Sequence, residues 1–450
     1  MSRGGRRRNP LRVAILSERE SPVVRLLLDN GLALVLCPRP HLSQAYLAFY
    51  CGVGSRHESL ADNGITHVLE HMLFRGTHSF KDATALNLAA EEFGGFLEGA
   101  TYRDHLLFAT AAHPDAVGEA IAILAELVQR PRYRAMEVER AILKEELLET
   151  LDADGRMIDL DNITHRLVFG AGGLGLPIEG HLKNIARFKV ADLEAHRRRY
   201  LVGTNSVLSI AGPIDVHALL PKIRRAFGRL PAGNPPLVEA PSAPAPRPIL
   251  RYVRDAASQV DIRLCFRGVA VDDPEYPALV LLARVLADGL GSRMHAELVD
   301  RRGLAYALHA GLTTYGDCGL FDFEVSVAPD RAAEAVAAIL GFAAAAGRFR
   351  FGDSELRRVR RRYRYGIEFM RDSPPDLASW YGRSTLFGIE QQMDHLGGRI
   401  EKLGEREIRH AARRVFRRPG LVVAAVGELV RGEWKRVDRV VQRWRGFRAD

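Results

Sequence analysis

Two rhythms of apolar and polar positions divide this 450-residue chain. "GLALVLCPRPHLSQAYLAFYCGVGS", residues 31–55, alternates apolar runs with Pro and Gly breaks, which predicts a strand, a turn and a second strand. "PILRYVRDAASQVDIRLCFRGVA", residues 248–270, reads the same way. Later the period lengthens. "ADLEAHRRRYLVGTNSVLSIAG" ends at Gly212 and "REIRHAARRVFRRPGLVVAAVG" ends at Gly427. Each predicts a basic amphipathic helix, a turn, and a short apolar strand closed by Gly. Two strand-rich starts and two helix–strand endings form a weak internal repeat. Strands clustered early in each half, with long helices later, predict an α+β fold of two similar domains, each a mostly antiparallel sheet with helices on one face.

Between the halves, "LPAGNPPLVEAPSAPAPRP" at 230–248 cannot be a helix interior or a central strand, and predicts an extended spacer. The expected organisation is a flexible basic arm over 1–21, an N-terminal domain over 22–231, a linker over 232–248 and a C-terminal domain over 249–450. Length supports more than one core.

Composition changes this picture little. Apolar residues make up 47% and charged residues 26%, as in a globular protein. The longest apolar run, "AVAAILGFAAAAG" at 335–347, is too short to cross a bilayer and predicts a buried helix. The start, "MSRGGRRRNPLRVAIL", lacks the apolar core of a secretory signal. A cytoplasmic, bacterial setting is expected. Cys37, Cys51, Cys265 and Cys318 lack C-x-x-C spacing and read as buried thiols. The net charge of +9 is spread out, and its densest run, "RRVRRRYRYG" at 357–366, predicts a solvated helix face. No nucleic-acid-binding motif accompanies it.

The costly residues stand in "GITHVLEHMLFRGTHSF", 64–80. His67 and His71 lie on one helical face, with Glu70 beside it. Burying two imidazoles and a carboxylate among Val, Leu and Met is expensive without a partner, and a metal ion satisfies all three. This is H-x-x-E-H, which pairs two zinc ligands with an adjacent general base. A third ligand is sought in "RYRAMEVERAILKEELLETLDADGR", 132–156, where Ile142, Leu143 and Leu147 predict an amphipathic helix. Glu139 and Glu146 share a face; Glu145 and Glu149 rival them on spacing alone.

From "LDNGLALVL" onward the chain resembles the pitrilysin/insulinase family of zinc peptidases, the inverzincins, and among them the mitochondrial-processing-peptidase-like branch. The resemblance is strongest in "GSRHESLADNGITHVLEHMLFRGT". It implies one Zn2+ per chain on His67, His71 and Glu146, with 74 residues between His71 and Glu146. It makes Glu145 the runner-up ligand, Glu139 a supporting acid and Glu70 the catalytic base. Two departures stand out. "GGFLEGATYRDHLLF" carries Glu98 where the family commonly has a substrate-holding Asn. "GLGSRMHAELVDRRGLAYALHA", 289–310, keeps Tyr306, the tyrosine implied to bind substrate near the zinc, but has Val299 where its arginine partner is expected. Arg301 and Arg302 are the nearby substitutes. The resemblance therefore implies a zinc endopeptidase acting on peptides inside a chamber, as the catalytic member of a heterodimer whose homologous partner supplies an Arg/Tyr pair. A homodimer and a non-catalytic structural subunit of a complex are the alternatives.

Overall fold

The computed structural model describes residues 14–17, 22–235, 238–389 and 393–447. Most of the basic arm lies outside them. Ala14–Ser17 are a strand rather than flexible chain, pairing with the next strand through Ala14–Arg25 and Ser17–Pro22.

The first half runs β1 (Ala14–Ser17), β2 (Pro22–Leu27), β3 (Ala33–Pro38), β4 (Ala45–Cys51), α1 (Ile65–Leu73), α2 (Ala83–Glu92), β5 (Leu97–Thr101) and β6 (Leu106–Ala112). It continues with α3 (Val117–Gln129), α4 (Met136–Glu149), α5 (Leu160–Phe169), α6 (Leu182–Ile185), α7 (Val190–Tyr200), β7 (Ser206–Gly212) and α8 (Val216–Phe227). The second half opens with β8 (Ile249–Arg254), β9 (Val260–Gly268), α9 (Tyr276–Ala287), a wide helical turn at His295–Arg301, β10 (Ala305–Thr314) and β11 (Gly319–Val327). Then follow α10 (Ala332–Ala346), α11 (Asp353–Arg371), α12 (Pro374–Leu386), α13 (Met393–Lys402), α14 (Glu405–Val415), β12 (Val422–Gly427) and α15 (Glu433–Arg443).

The first sheet has the order β1-β2-β3-β7-β4-β6-β5 and the second β10-β11-β9-β12-β8. Without β1 and β2, both have the same winding, with one parallel pair each, β3 with β7 and β8 with β12. Tyr46 pairs with Ala211 and Asp261 with Val426, so the second half repeats the first 215 positions later. That offset carries α3 onto α10, α4 onto α11, α5 onto α12 and α7 onto α14, to within two residues at their starts. The repeat is thus a property of backbone topology, and the fold is α+β with two mixed sheets.

Each sheet buries one face under its own helices. Leu47, Phe49 and Leu208 of the first pack with Ile121, Leu124 and Phe227 of α3 and α8. The other face is covered by an exchanged helix. Leu377, Ala378 and Tyr381 of α12, from the second half, join Ala48, Tyr50 and Val207 of the first sheet. Gly382 makes the close approach possible, since a Cβ there would stand 2.5 Å from the Tyr50 ring. Reciprocally, Ile163 of α5 packs on Val253, Ala424 and Val426, and Phe169 on Cys265, Leu320 and Val422. Helices on one face, the sequence expectation, describes each half's own helices; the exchanged pair adds a layer. Burying each of the larger ones, such as Leu377, Ile163 and Phe169, stabilises by about 1.5–3 kcal/mol. Asp161 on α5 ties the exchange electrostatically, accepting from Arg103 at 2.6 Å and from Arg263 of β9 at 2.5 Å.

The basic run at 357–366 lies on α11, whose Val359 and Tyr363 face the core while most of its arginines face solvent. Residues 335–347 fall in the buried α10 and its terminal Gly347. All four cysteines are free and buried. Among the described residues no helix is long and apolar enough to cross a membrane.

Candidate metal centre and active site

The centre is built on α1. The chain enters it through Gly64 at φ 99°, pressed against Gly180, so that a Cβ on Gly64 would lie 2.9 Å from the Gly180 Cα. Gly64 has no side chain to satisfy the free N–H groups of the first turn. Glu58 does this instead: its carboxylate accepts from the Gly64 N–H at 2.7 Å, the Thr66 N–H at 2.9 Å and the Asn63 amide at 2.8 Å. Burial raises the Glu58 pKa against the pull of those hydrogen bonds. Ile65, Val68, Leu69, Met72 and Leu73 seat the helix in the core, which fixes the direction of its polar stripe.

On that stripe the His67 and His71 rings stand 4.7 Å apart at 80°. Glu146 on α4 faces both, its Oε1 3.5 Å from His67 Nε2 and its Oε2 3.5 Å from His71 Nε2. One ligand atom from each of the three lies within 4.8 Å of the others. Two nitrogens and a carboxylate oxygen converging this way suit the donor set of a catalytic zinc site. Glu139, one heptad earlier on α4, takes the other side of the His71 ring at 2.8 Å from Nδ1 and pairs with Arg75. A carboxylate behind a ligating histidine is the usual support of such a site. His67 Nδ1 is buried without a partner.

Charges reinforce the arrangement. Burial alone would lower the His67 pKa, but the Glu146 hydrogen bond and the charges of Glu70, Glu146 and Glu179 raise it. The same hydrogen bond lowers the Glu146 pKa against burial. Burial opposes the shift at Glu139 too, and the His71 hydrogen bond and the Arg75 charge outweigh it, holding that pKa low. α4 itself is anchored by Arg140, which donates to the carbonyls of Ile185 at 3.1 Å and Phe188 at 2.7 Å. Next to Glu146 opens an acidic cleft of about 420 Å³, lined also by Glu149, Asp159 and Glu179.

Glu70 is buried beside the trio and accepts from the Thr101 hydroxyl at 2.8 Å. Thr101 ends β5, the edge strand of the first sheet, which among the described residues pairs only with β6. Gly99 on the same strand faces the base: a Cβ there would come within 2.7 Å of Glu70 Oε1. Glu98, also on β5, accepts from the Tyr46 hydroxyl at 3.1 Å.

The fold therefore brings together His67, Glu70, His71, Glu139 and Glu146, with Glu98 on the adjoining strand. Glu145 and Glu149 are both exposed, and neither belongs to the trio. Ile142 is exposed as well, so the buried face of α4 rests on Leu143 and Leu147 without it. Tyr306 stands apart: it lies on β10, the edge of the other sheet, is 82% exposed, and makes no hydrogen bond among the described residues. Val299 packs against the second core. Arg301 is paired with Glu297 at 2.9 Å and Arg302 with Glu334, so each candidate substitute is held locally. Thr101, Arg75 and Glu179 are not legible in the sequence, because each acts across a distance that no local pattern records; Glu58 is missed for another reason, since it caps α1 from five to eight positions away, outside the usual capping position.

Two family profiles match this chain. The profile "Insulinase (Peptidase family M16)" covers residues 35–169, and "Peptidase M16 inactive domain" covers 187–363. An uncharacterized zinc protease of Streptomyces coelicolor is 27% identical over 414 residues, 89% of each chain. One of Mycobacterium tuberculosis is 28% identical over 404 residues, covering 88% of this chain and 91% of that one. A probable mitochondrial-processing peptidase subunit beta of Arabidopsis thaliana is 24% identical, over 92% of this chain and 80% of that one. In fold, the chain resembles a protease from Helicobacter pylori with a TM-score of 0.83 at 18% identity, covering 89% of this chain and 98% of that one. The match of the catalytic profile to the half that bears the trio fits the structure, where the equivalent helix α9 (YPALVLLARVLA) carries no histidine or carboxylate. With both profiles on one chain and the His–His–Glu cluster in place, this protein belongs to the M16, or insulinase, family of zinc proteases.

Proposed function

We propose that this chain is a zinc-dependent endopeptidase of extended peptides and unfolded segments, and that it is the catalytic member of a two-subunit enzyme. The observation that carries the catalytic part is the convergence of both His Nε2 atoms on one Glu146 carboxylate, with Glu70 buried alongside. His67, His71 and Glu146 would hold one Zn2+, which would act as a Lewis acid and lower the pKa of water at the site to about 7.

The chain's own groups do the rest. Glu70 takes a proton from the attacking water and returns it to the departing amine. Thr101 fixes one Glu70 oxygen, leaving the other toward Gly99, where the absent side chain lets base and backbone approach. An extended peptide adds to the free edge of β5 by main-chain hydrogen bonds. Glu98 and the acidic cleft favour a substrate segment bearing Lys or Arg.

The second subunit is supported by what surrounds Tyr306. No arginine accompanies it, since Val299 is apolar and Arg301 and Arg302 are paired elsewhere. A homologous chain bearing an arginine–tyrosine pair would complete the clamp. Some relatives are named as subunits, as with the Arabidopsis protein. Alanine at His67 or His71 should abolish stoichiometric zinc by metal analysis. Glu70→Gln should retain zinc and lose peptide hydrolysis. A purified chain that takes up no zinc would refute the catalytic reading. Full activity as a homodimer, unchanged by any homologous partner, would refute the paired-subunit reading alone.

A further inference from the structure

A second cavity, of about 500 Å³, lies where the end of β9, the turn after α14 and the C-terminal tail meet in the second half. Five arginines line it, Arg267, Arg414, Arg417, Arg418 and Arg445, and among the described residues no carboxylate does. The zinc trio and the acidic cleft beside it contribute no residue to it.

The guanidiniums are not equally committed. Arg414 is paired with Asp273 at 2.8 Å and Glu275 at 2.9 Å. Arg418 donates to the Val441 carbonyl at 2.8 Å and the Gln442 side chain at 2.9 Å. Arg267 reaches the Ser242 carbonyl and stacks over Phe169 at 4.4 Å, but its Nε is buried with no partner. Among the described residues, the Arg417 and Arg445 side chains have no ion pair or hydrogen bond, and Arg417 Nε is also buried and unmet. Like charges brought together without an acid repel one another, and a buried N–H without an acceptor is unfavourable.

The internal repeat provides a control for whether the fold itself needs these arginines. At the 215-position offset, Arg267 corresponds to Gly52, Arg417 to Val202, Arg418 to Gly203 and Arg445 to Leu230. Only Arg414 has a basic counterpart, Arg199. The same strand, turn and tail are thus built in the first half without them. Internal contacts account for Arg414, Arg418 and most of Arg267, and leave Arg417 and Arg445 with no structural task.

We propose that this cavity binds a small phosphate-bearing anion, a di- or triphosphate group, with Arg417 and Arg445 as its principal contacts and half-buried Arg267, whose Nε lacks a partner, as the third. Planar guanidinium forks suit phosphate oxygens in pairs. The volume exceeds what a single phosphate fills, and Phe447 and Pro419 on its wall offer an apolar surface to an organic group carried on the phosphates.

The test is calorimetric titration of the full chain with inorganic tripolyphosphate and, separately, with ATP. Zinc content is measured before and after, because polyphosphates chelate metals. The comparison is the Arg417→Val, Arg445→Leu double variant, which installs the first-half residues and so keeps a combination this fold already accepts. Arg357→Ala, Arg361→Ala on the solvated face of α11 controls for net charge. Saturable binding, weakened at least tenfold by the cavity variant and little by the α11 variant, is expected. The zinc content and basal peptidase rate of the cavity variant should match the parent. Tighter binding of ATP than of tripolyphosphate would assign a nucleotide as the source, and the reverse order an inorganic polyphosphate. No binding of either at millimolar concentration, or equal binding by parent and cavity variant, overturns the proposal.

Discussion

Glu139 and Glu146 stand seven positions apart on α4, and they hold opposite edges of one imidazole, that of His71. A shared helical face was legible in the spacing, but the ranking of Glu146 over Glu145 came only from the family resemblance, because a step of one residue swings a side chain by about 100° and only the partner decides which direction is inward. Distinct effects are therefore expected from neighbouring substitutions. Glu146→Gln should weaken zinc binding severely, whereas Glu145→Gln, on the exposed side, should leave it unchanged. Glu139→Gln removes a support rather than a ligand and should lower zinc affinity about 10- to 100-fold. Competitive chelator titration of the three variants checks the order, and a larger loss from Glu145→Gln would overturn the assignment. Thr101 presents a different case. Its hydroxyl fixes Glu70 from 31 positions away, so Thr101→Val should keep full zinc while lowering kcat about tenfold or more, as misplacement of a base does. An unchanged kcat would show that Glu70 needs no such anchor.

At the level of elements, α1 and α5 show what periodicity can and cannot tell. The apolar stripe of α1 made its burial readable, and the i, i+4 histidines made its chemistry readable. Its cap was not, since Glu58 reaches the helix from a preceding loop where Gly64 occupies the usual capping position. For α5 the sequence does not tell which sheet it covers. The structure places it on the second sheet, with Asp161 among His165, Arg103 and Arg263. Burial would raise the Asp161 pKa, yet the His165 hydrogen bond and the charges of His165, Arg103 and Arg263 lower it well below the usual carboxylate range. A depressed native pKa means that this carboxylate contributes stability above its unfolded value of about 3.9, and that the contribution is lost as pH falls below it. Asp161→Asn should therefore destabilise at pH 7 by about 1–3 kcal/mol, less than a fully buried pair would, because its side chain is 45% exposed. Urea unfolding of parent and variant at pH 7 and pH 3 should show the gap narrowing in acid. A gap independent of pH would mean that packing, not charge, is what Asp161 supplies.

Across the whole molecule, the weak rhyme between the strings ending at Gly212 and Gly427 proved to be the visible part of a repeat in strand order. It was faint because the two halves have diverged in side chains while keeping their winding: α1 carries the trio's histidines where α9 is almost wholly apolar. The exchange of α5 and α12 left no trace in the sequence, since an apolar helix face declares burial without naming its cover. Yet the exchange governs how the halves behave together. Removing α12 would uncover Tyr50, Ala48 and Val207, and removing α5 would uncover Val253, Ala424 and Val426, so neither half is closed alone. The Pro- and Ala-rich segment at 232–248 should then be dispensable for holding them together, although it is their covalent link. Cleavage at a protease site inserted there, next to the exposed Val238, should give two fragments that co-elute as one particle and unfold in a single thermal transition. Leu377→Ala in α12, a fully buried side chain of that exchange, should lower the transition of the nicked protein by an amount consistent with a loss of about 2–5 kcal/mol. Fragments that separate on size exclusion without denaturant, or two resolved transitions in the nicked parent, would show that the halves are independent domains and that the exchanged helices contribute little to their union.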